Sequence, residues 1–135
     1  MVGDDCHRHN DKIAEIHGVT FPDAVERVRQ LMSKQHFYVK LIPPRPTFPM
    51  DMSAEERAIM NQHVAYTTRL FAEGKVLIFG PVMDASYPFG MAVLEVENES
   101  EAVQLLNNDP SVSCGLNQFT VIPMRLGAAQ GSNPR

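Results

Sequence analysis

The sequence predicts an α+β domain built in the order strand, helix, strand, strand, helix, strand over residues 37–125 of its 135. Three observations carry that reading. Four short runs are rich in β-branched and aromatic residues. Two longer runs open on capping signals and close on Gly or Pro. The apolar residues of the strands fall on both faces, as they do in a sheet buried on both sides.

Residues 37–42 (FYVKLI) make the first strand and stop at Pro43-Pro44. The next ten residues hold Pro43, Pro44, Pro46 and Pro49, so an extended, rigid surface loop is expected there rather than a helix. Ser53 followed by Glu56 is a capping box and Gly74 a C-terminal stop, which predicts a helix over 54–73. Within it Ile59, His63, Tyr66 and Leu70 recur at helical spacing and share a face, so His63 is expected to point at the sheet. Residues 76–79 read as the second strand, ended by Gly80-Pro81, and 90–96 as the third, with a turn-rich link between them. Asn98 with Glu101 starts a second helix that Pro110 forbids from continuing, and 119–124 make the last strand.

Right-handed crossovers interleave the two strand–helix units into a four-stranded antiparallel sheet with both helices on one face, the ferredoxin-like arrangement. Its other face should not stay bare. Tyr38 and Ile42 lie opposite Phe37, Val39 and Leu41, and by simple alternation Leu77 and Phe79 lie opposite Val76 and Ile78, Met91 and Val93 opposite Ala92 and Leu94. A homodimer packed through the sheets, or cover by the N-terminal segment, is the expectation.

Residues 1–36 read as an extension, polar and histidine-bearing up to Val19, with a helix expected over 22–34 behind Thr20 and Pro22. Met32 opens the run before the first strand and is a possible alternative start. Residues 126–135 read as a flexible tail.

The bulk composition narrows the classes of function. An apolar fraction of 44% and a charged fraction of 21% are those of an ordinary globular domain. A net charge of −4 without a basic block argues against nucleic acid. No apolar run approaches the roughly 20 residues of a membrane span, and the polar, acidic start is the wrong order for a secretory signal, so a cytoplasmic address is expected. The two cysteines, Cys6 and Cys114, read as free thiols. Cys6, His7, His9 and His17 fit no standard zinc spacing, and no metal is expected. A G-x-G-x-x-G turn, a P-loop and a G-x-S-x-G elbow are all missing from the sequence, so no nucleotide cofactor is indicated and none of any kind is expected.

His63 is the first candidate for chemistry, because an imidazole on an apolar helix face is costly to bury without a partner; the plain alternative is a hydrogen-bonded core histidine. Asp109 precedes Pro110 and can turn a carboxylate back into the fold; alternatively it is only a turn former. If the two meet, the carboxylate holds one ring nitrogen and leaves the other as a general base or acid. Asp84 is a second possible partner or substrate contact, or a turn residue. Arg45, among prolines, can present a guanidinium to an anionic ligand, or serve as a surface charge or ion-pair partner. Phe48, Met50 and Met52 either line the same mouth or pin the proline loop to the core, the second being the expectation. Cys114 is a nucleophile only if a base lowers its pKa, and nothing in the sequence shows one.

The segment 37–124 resembles the YCII-related family of dimeric α/β-barrel proteins. The resemblance rests on His63, Gly74, Gly80-Pro81 followed by Asp84, Gly90, Asp109-Pro110, Gly115 and Pro123 in that order and spacing. It implies the ferredoxin-like fold, dimerisation through the sheets and a pocket with a histidine–aspartate pair, His63 and Asp109. Gly80, Pro81, Asp84 and Arg45 are the expected substrate contacts around it. The members that look enzymatic are similar to small lyases acting on ring compounds, dehydrochlorination being the example. The expected function is therefore cofactor-independent acid–base lyase chemistry on a small cyclic molecule. The alternatives are a non-catalytic ligand-binding module using the same pocket, and a cofactor-free oxygenase with a larger apolar cavity.

Overall fold

Four strands and two long helices follow one another in the expected order in the computed structural model of the chain, which describes residues 34–131. The helix expected over 22–34, the Cys6/His7/His9/His17 group and the start at Met32 lie outside the described residues. Strand β1 spans Gln35–Ile42, β2 Val76–Val82, β3 Phe89–Val96 and β4 Gln118–Met124, in the sheet order β2-β3-β1-β4 with every pair antiparallel. Residues Gln35–Met124 make one compact unit.

The central strand β1 alternates strictly. Phe37, Val39 and Leu41 are buried, and their register partners Leu94 and Ala92 on β3 and Val121 and Phe119 on β4 face the same way. Two long helices cover that side: α2 (Ala54–Ala72) supplies Leu70, and α3 (Glu99–Asn107) supplies Ala102 and Leu106, to one core cluster with the strand residues. Burying each such aliphatic or aromatic side chain contributes roughly 1.5–3 kcal/mol.

The ends of α2 follow the sequence signals. The Ser53 hydroxyl accepts from the Glu56 N–H at 3.1 Å and the Glu56 carboxylate accepts from the Ser53 N–H at 2.9 Å, the reciprocal capping box. At the other end Gly74 takes φ +83°, its N–H donating to Phe71 O and that of Lys75 to Leu70 O, a Schellman closure.

Three expectations need correction. The proline-rich segment is not wholly extended: Phe48–Asp51 forms a one-turn helix, α1, because Pro49 falls in its first two positions, where the missing N–H costs nothing. Gly80-Pro81 does not end the second strand. Strand β2 runs on to Val82, and Pro81 is tolerated because β2 is an edge strand, paired on one side only. A register shift between Val76 and Ile78 also breaks the simple alternation, so that Val76 and Phe79 share the helix-covered face while Ile78 turns to the other and is 55% exposed.

The face turned away from the two long helices carries Tyr38, Ile78, Ile122 and the buried Val93 alongside a His36–Glu95 pair at 3.0 Å and Lys40 stacked 4.4 Å over the Phe89 ring. It is less uniformly apolar than alternation implies. Among the described residues no helix is long and apolar enough to cross a membrane.

Candidate active site

Between α2 and the covered face of the sheet lies a cavity of about 460 Å³, in the range that holds a small organic ligand. Along α2 it is met by Met60, His63, Thr67 and Leu70, one turn apart; Arg57, Asn61, Val64 and Tyr66 also line it, whereas Ile59 does not. Across from them stand Val39 and Leu41 of β1, Phe79 of β2 and Leu94 of β3. The walls are almost wholly hydrocarbon and thioether, so the few polar groups that reach the cavity decide its chemistry.

His63 and Asp109 are two of those groups, and they touch. His63 Nδ1 lies 2.7 Å from Asp109 Oδ2, with side-chain exposures of 17% and 4%. Asp109 is held there by its own turn. It is the N-cap of α4 (Pro110–Ser113), and its other oxygen, Oδ1, accepts from the Ser111 N–H and the Ser111 hydroxyl, both at 2.8 Å. The turn-forming and histidine-orienting readings of Asp109 are therefore compatible: one carboxylate oxygen serves each. Because an ionised carboxylate only accepts, Nδ1 carries the proton, and in the neutral imidazole Nε2 then presents a lone pair. No hydrogen bond to Nε2 is formed among the described residues.

Tyr66, three residues on from His63, donates its hydroxyl to Leu105 O at 2.7 Å. Burial, and after it the charge of Asp109, hold its phenol above the ordinary tyrosine range, which keeps it a neutral donor.

The remaining sequence candidates separate. Gly80 and Pro81 line the cavity. Asp84 is exposed and absent from the walls; its Oδ1 accepts from the N–H and hydroxyl of Ser86, both at 2.9 Å, and the Ser86 N–H holds the carboxyl below its ordinary range. Arg45 is also outside the walls. It forks onto Glu56 through Nη1 and Nη2 at 3.0 and 2.8 Å and reaches Asp51 Oδ1 through Nε at 2.8 Å, so its charge is spent inside the chain. The guanidinium sits 5.3 Å over the ring of Phe48, which is buried and does line the cavity, as does Met52; Met50 is 82% exposed. Cys114 is exposed, with its thiol near Ser111 O at 3.8 Å. Among the described residues no group of three or more His, Cys, Asp or Glu side chains is placed to hold a metal ion.

Arg57, Asn61, Thr67 and Asn117 are cavity-lining polar residues that no sequence signal singles out. Asn117 is 4% exposed, and its backbone N–H donates to Ser111 O at 2.8 Å, tying it to the turn that holds Asp109.

A family model described as the YCII-related domain matches residues 36–125, about two-thirds of the chain. The chain belongs to the YCII-related family. The matched segment of this YCII-related protein coincides with its compact unit and contains both His63 and Asp109. Among solved structures it is similar to 5-chloro-2-hydroxyhydroquinone dehydrochlorinase from Burkholderia phenoliruptrix, in complex with 2,5-dihydroxybenzoquinone. That similarity has a TM-score of 0.49 at 20% identity and covers 72% of this chain and 99% of the other. No curated protein sequence matches the chain.

Proposed function

We propose that this YCII-related protein is a small cofactor-independent enzyme that removes HX from a small cyclic organic substrate by acid–base catalysis at His63. The observation that carries the reading is the 2.7 Å contact of His63 with Asp109 at the wall of an apolar cavity of about 460 Å³. A histidine sealed in the core with no cavity beside it would favour a purely structural role. Here the imidazole is oriented at one nitrogen and available at the other.

In the proposed reaction the ring reacts as the keto tautomer in which the carbon bearing X is tetrahedral. Nε2 takes the proton of a conjugated ring hydroxyl, the electrons of that O–H bond form a C=O, the adjacent ring π bond shifts to the carbon bearing X, and X⁻ departs. The proton rests on the imidazolium, whose charge Asp109 offsets, and passes to solvent, so the net change is loss of HX. A positioned base of this kind contributes roughly 10²–10⁴ in rate. Gly80 and Pro81 border the substrate, whereas Arg45 and Asp84 act through the loops they stiffen.

The proposal includes a homodimer formed through the sheet face turned away from the helices, supported by the exposure of Ile78 (55%) and Ile122 (48%) there.

Chloride release from 5-chloro-2-hydroxyhydroquinone is a direct assay. Wild-type protein should release chloride, and His63→Ala should abolish release while the circular dichroism spectrum stays unchanged. Full activity in His63→Ala would sink the proposal. Saturable binding with no turnover in the wild type would return the domain to the ligand-binding reading.

A further inference from the structure

The turn after α4 brings a further polar group to the cavity, and its hydrogen bonding is incomplete. Asn117 Oδ1 is buried and has no hydrogen-bond partner, in a residue 4% exposed. The rest of the residue is committed. Its backbone N–H goes to Ser111 O at 2.8 Å, and its Nδ2 meets only a weak acceptor, Met60 Sδ, at 3.4 Å. Buried carbonyl oxygens in native proteins are nearly always paired, and those left over are concentrated where a ligand or an ordered group completes them. Asn117 shares the cavity with His63 and Asp109 and is tied through Ser111 to the carboxylate that orients His63.

We propose that Asn117 is a specificity-determining residue of this cavity, its carboxamide oxygen accepting a hydrogen bond from an O–H donor on the ring compound that His63 acts upon. The inference rests on the catalytic reading for the identity of the bound ring, and it deepens that reading by naming the substituent the site selects: a hydroxyl, as in a phenol or hydroquinone. Met60 borders the same carboxamide at Nδ2. Its unbranched thioether is the group packed on the Asn117 side chain, and an entering ring displaces so flexible a side chain at little cost. In the empty cavity the acceptor remains shielded. In the occupied one it discriminates, because a ligand without the donor leaves it unpaired.

The test uses full-length protein and two probes that share one chlorinated ring, chlorohydroquinone and its bulkier dimethyl ether, titrated calorimetrically, with Asn117→Leu separating the effect of the lost donors from that of the added methyl groups. Both retain acceptor oxygens; only the first has donors. Wild-type protein should bind chlorohydroquinone at least about tenfold more tightly, and Asn117→Leu should reduce that preference to about twofold or less while melting no lower than the wild type, since it removes an unpaired buried acceptor. Equal binding of both probes by the wild type overturns the inference, because it means that the carboxamide presents its N–H end. Absence of saturable binding of chlorohydroquinone overturns it as well, and so does an Asn117→Leu variant that keeps the preference. If Asn117→Leu does not fold, the wild-type ¹⁵N–¹H spectrum decides. Chlorohydroquinone should shift the Asn117 side-chain amide pair more than the ether does, and no such difference overturns the inference. Preference lost in Asn117→Leu with no turnover in the wild type overturns the catalytic reading alone. Turnover that depends on His63 with the preference intact in Asn117→Leu overturns this inference alone.

Discussion

At the level of single residues, the site depends on how two oxygens of one carboxylate are divided. Asp109 Oδ1 is occupied by two donors of Ser111, which leaves Oδ2 for His63 and fixes which imidazole nitrogen carries the proton. Asp109→Asn tests that division. The Ser111 donors will keep the amide oxygen, so the new NH₂ group faces Nδ1 and forces the proton onto Nε2. The base is then lost although shape and charge-free packing survive. Turnover should fall by roughly 10²–10⁴, with a melting temperature within a few degrees of wild type, and ¹⁵N spectra of the imidazole should report the exchanged tautomer. An unchanged rate would mean that Nε2 is not the base. Both members of the pair are legible in the sequence, His63 because an imidazole on an apolar helix face needs a partner, and Asp109 because Asp-Pro places a carboxylate at a helix boundary. Asn117 is not legible. It follows Gly115-Leu116 in a turn whose composition signals nothing, and only its burial and its unpaired oxygen single it out.

Among the elements, the proline-rich segment differs most from its sequence reading, and Arg45 explains how. Its side chain links the end of α1 to the first turn of α2: Nε and Nη2 hold the side chain and carbonyl of Asp51, and the fork onto Glu56 adds to the capping box. This network brings Phe48 to the cavity wall without placing the charge there. The hydrogen bond from Arg45, the largest contribution, lowers the Glu56 carboxyl to about 2, and Thr47 and then Arg45 hold Asp51 below its ordinary range. A carboxyl depressed in the folded state contributes stability that is present above its unfolded pKa and is lost as pH falls through the folded value. The contribution of Glu56 should therefore be complete above about pH 4.5 and disappear toward pH 2. Melting temperature measured from pH 7 to pH 2 should fall more steeply below pH 4.5 in the wild type than in Arg45→Ala. Parallel curves would remove the network from the stability of the fold. The same segment shows why loops and edges read poorly from sequence. Proline forbids a long helix but suits a first turn, and it ends a central strand yet is accommodated at the edge, where Pro81 on β2 and Pro123 on β4 both lie.

For the whole molecule, the order of elements follows from local signals that agree with one another, capping boxes, glycine stops and strand runs, which is why the βαββαβ core was legible. The sheet face turned away from the helices is where local reasoning is weakest, since one bulge in β2 redirects Ile78 and polar residues interrupt the apolar set. Its use as a dimer interface makes a definite demand. A two-fold interface repeats each contact, so one substitution counts twice. Ile122, on the edge strand β4 and opposite Tyr38, is 48% exposed in the single chain. Burying it on both protomers contributes at most roughly 1.5–3 kcal/mol per side chain, and a lysine in its place adds the cost of desolvating two like charges. Ile122→Lys should therefore weaken dimerisation about a hundredfold or more, which sedimentation velocity across micromolar concentrations resolves. Thr68→Lys, on the exposed side of α2, should leave the association unchanged. A wild-type protein that sediments as a monomer throughout that range, or an Ile122→Lys variant that stays dimeric, would place the interface elsewhere. The cavity lies between α2 and the opposite face of the sheet, and Ile122 is not among its walls, so an Ile122→Lys monomer should still bind chlorohydroquinone, with an affinity within a few-fold of that of the proposed dimer.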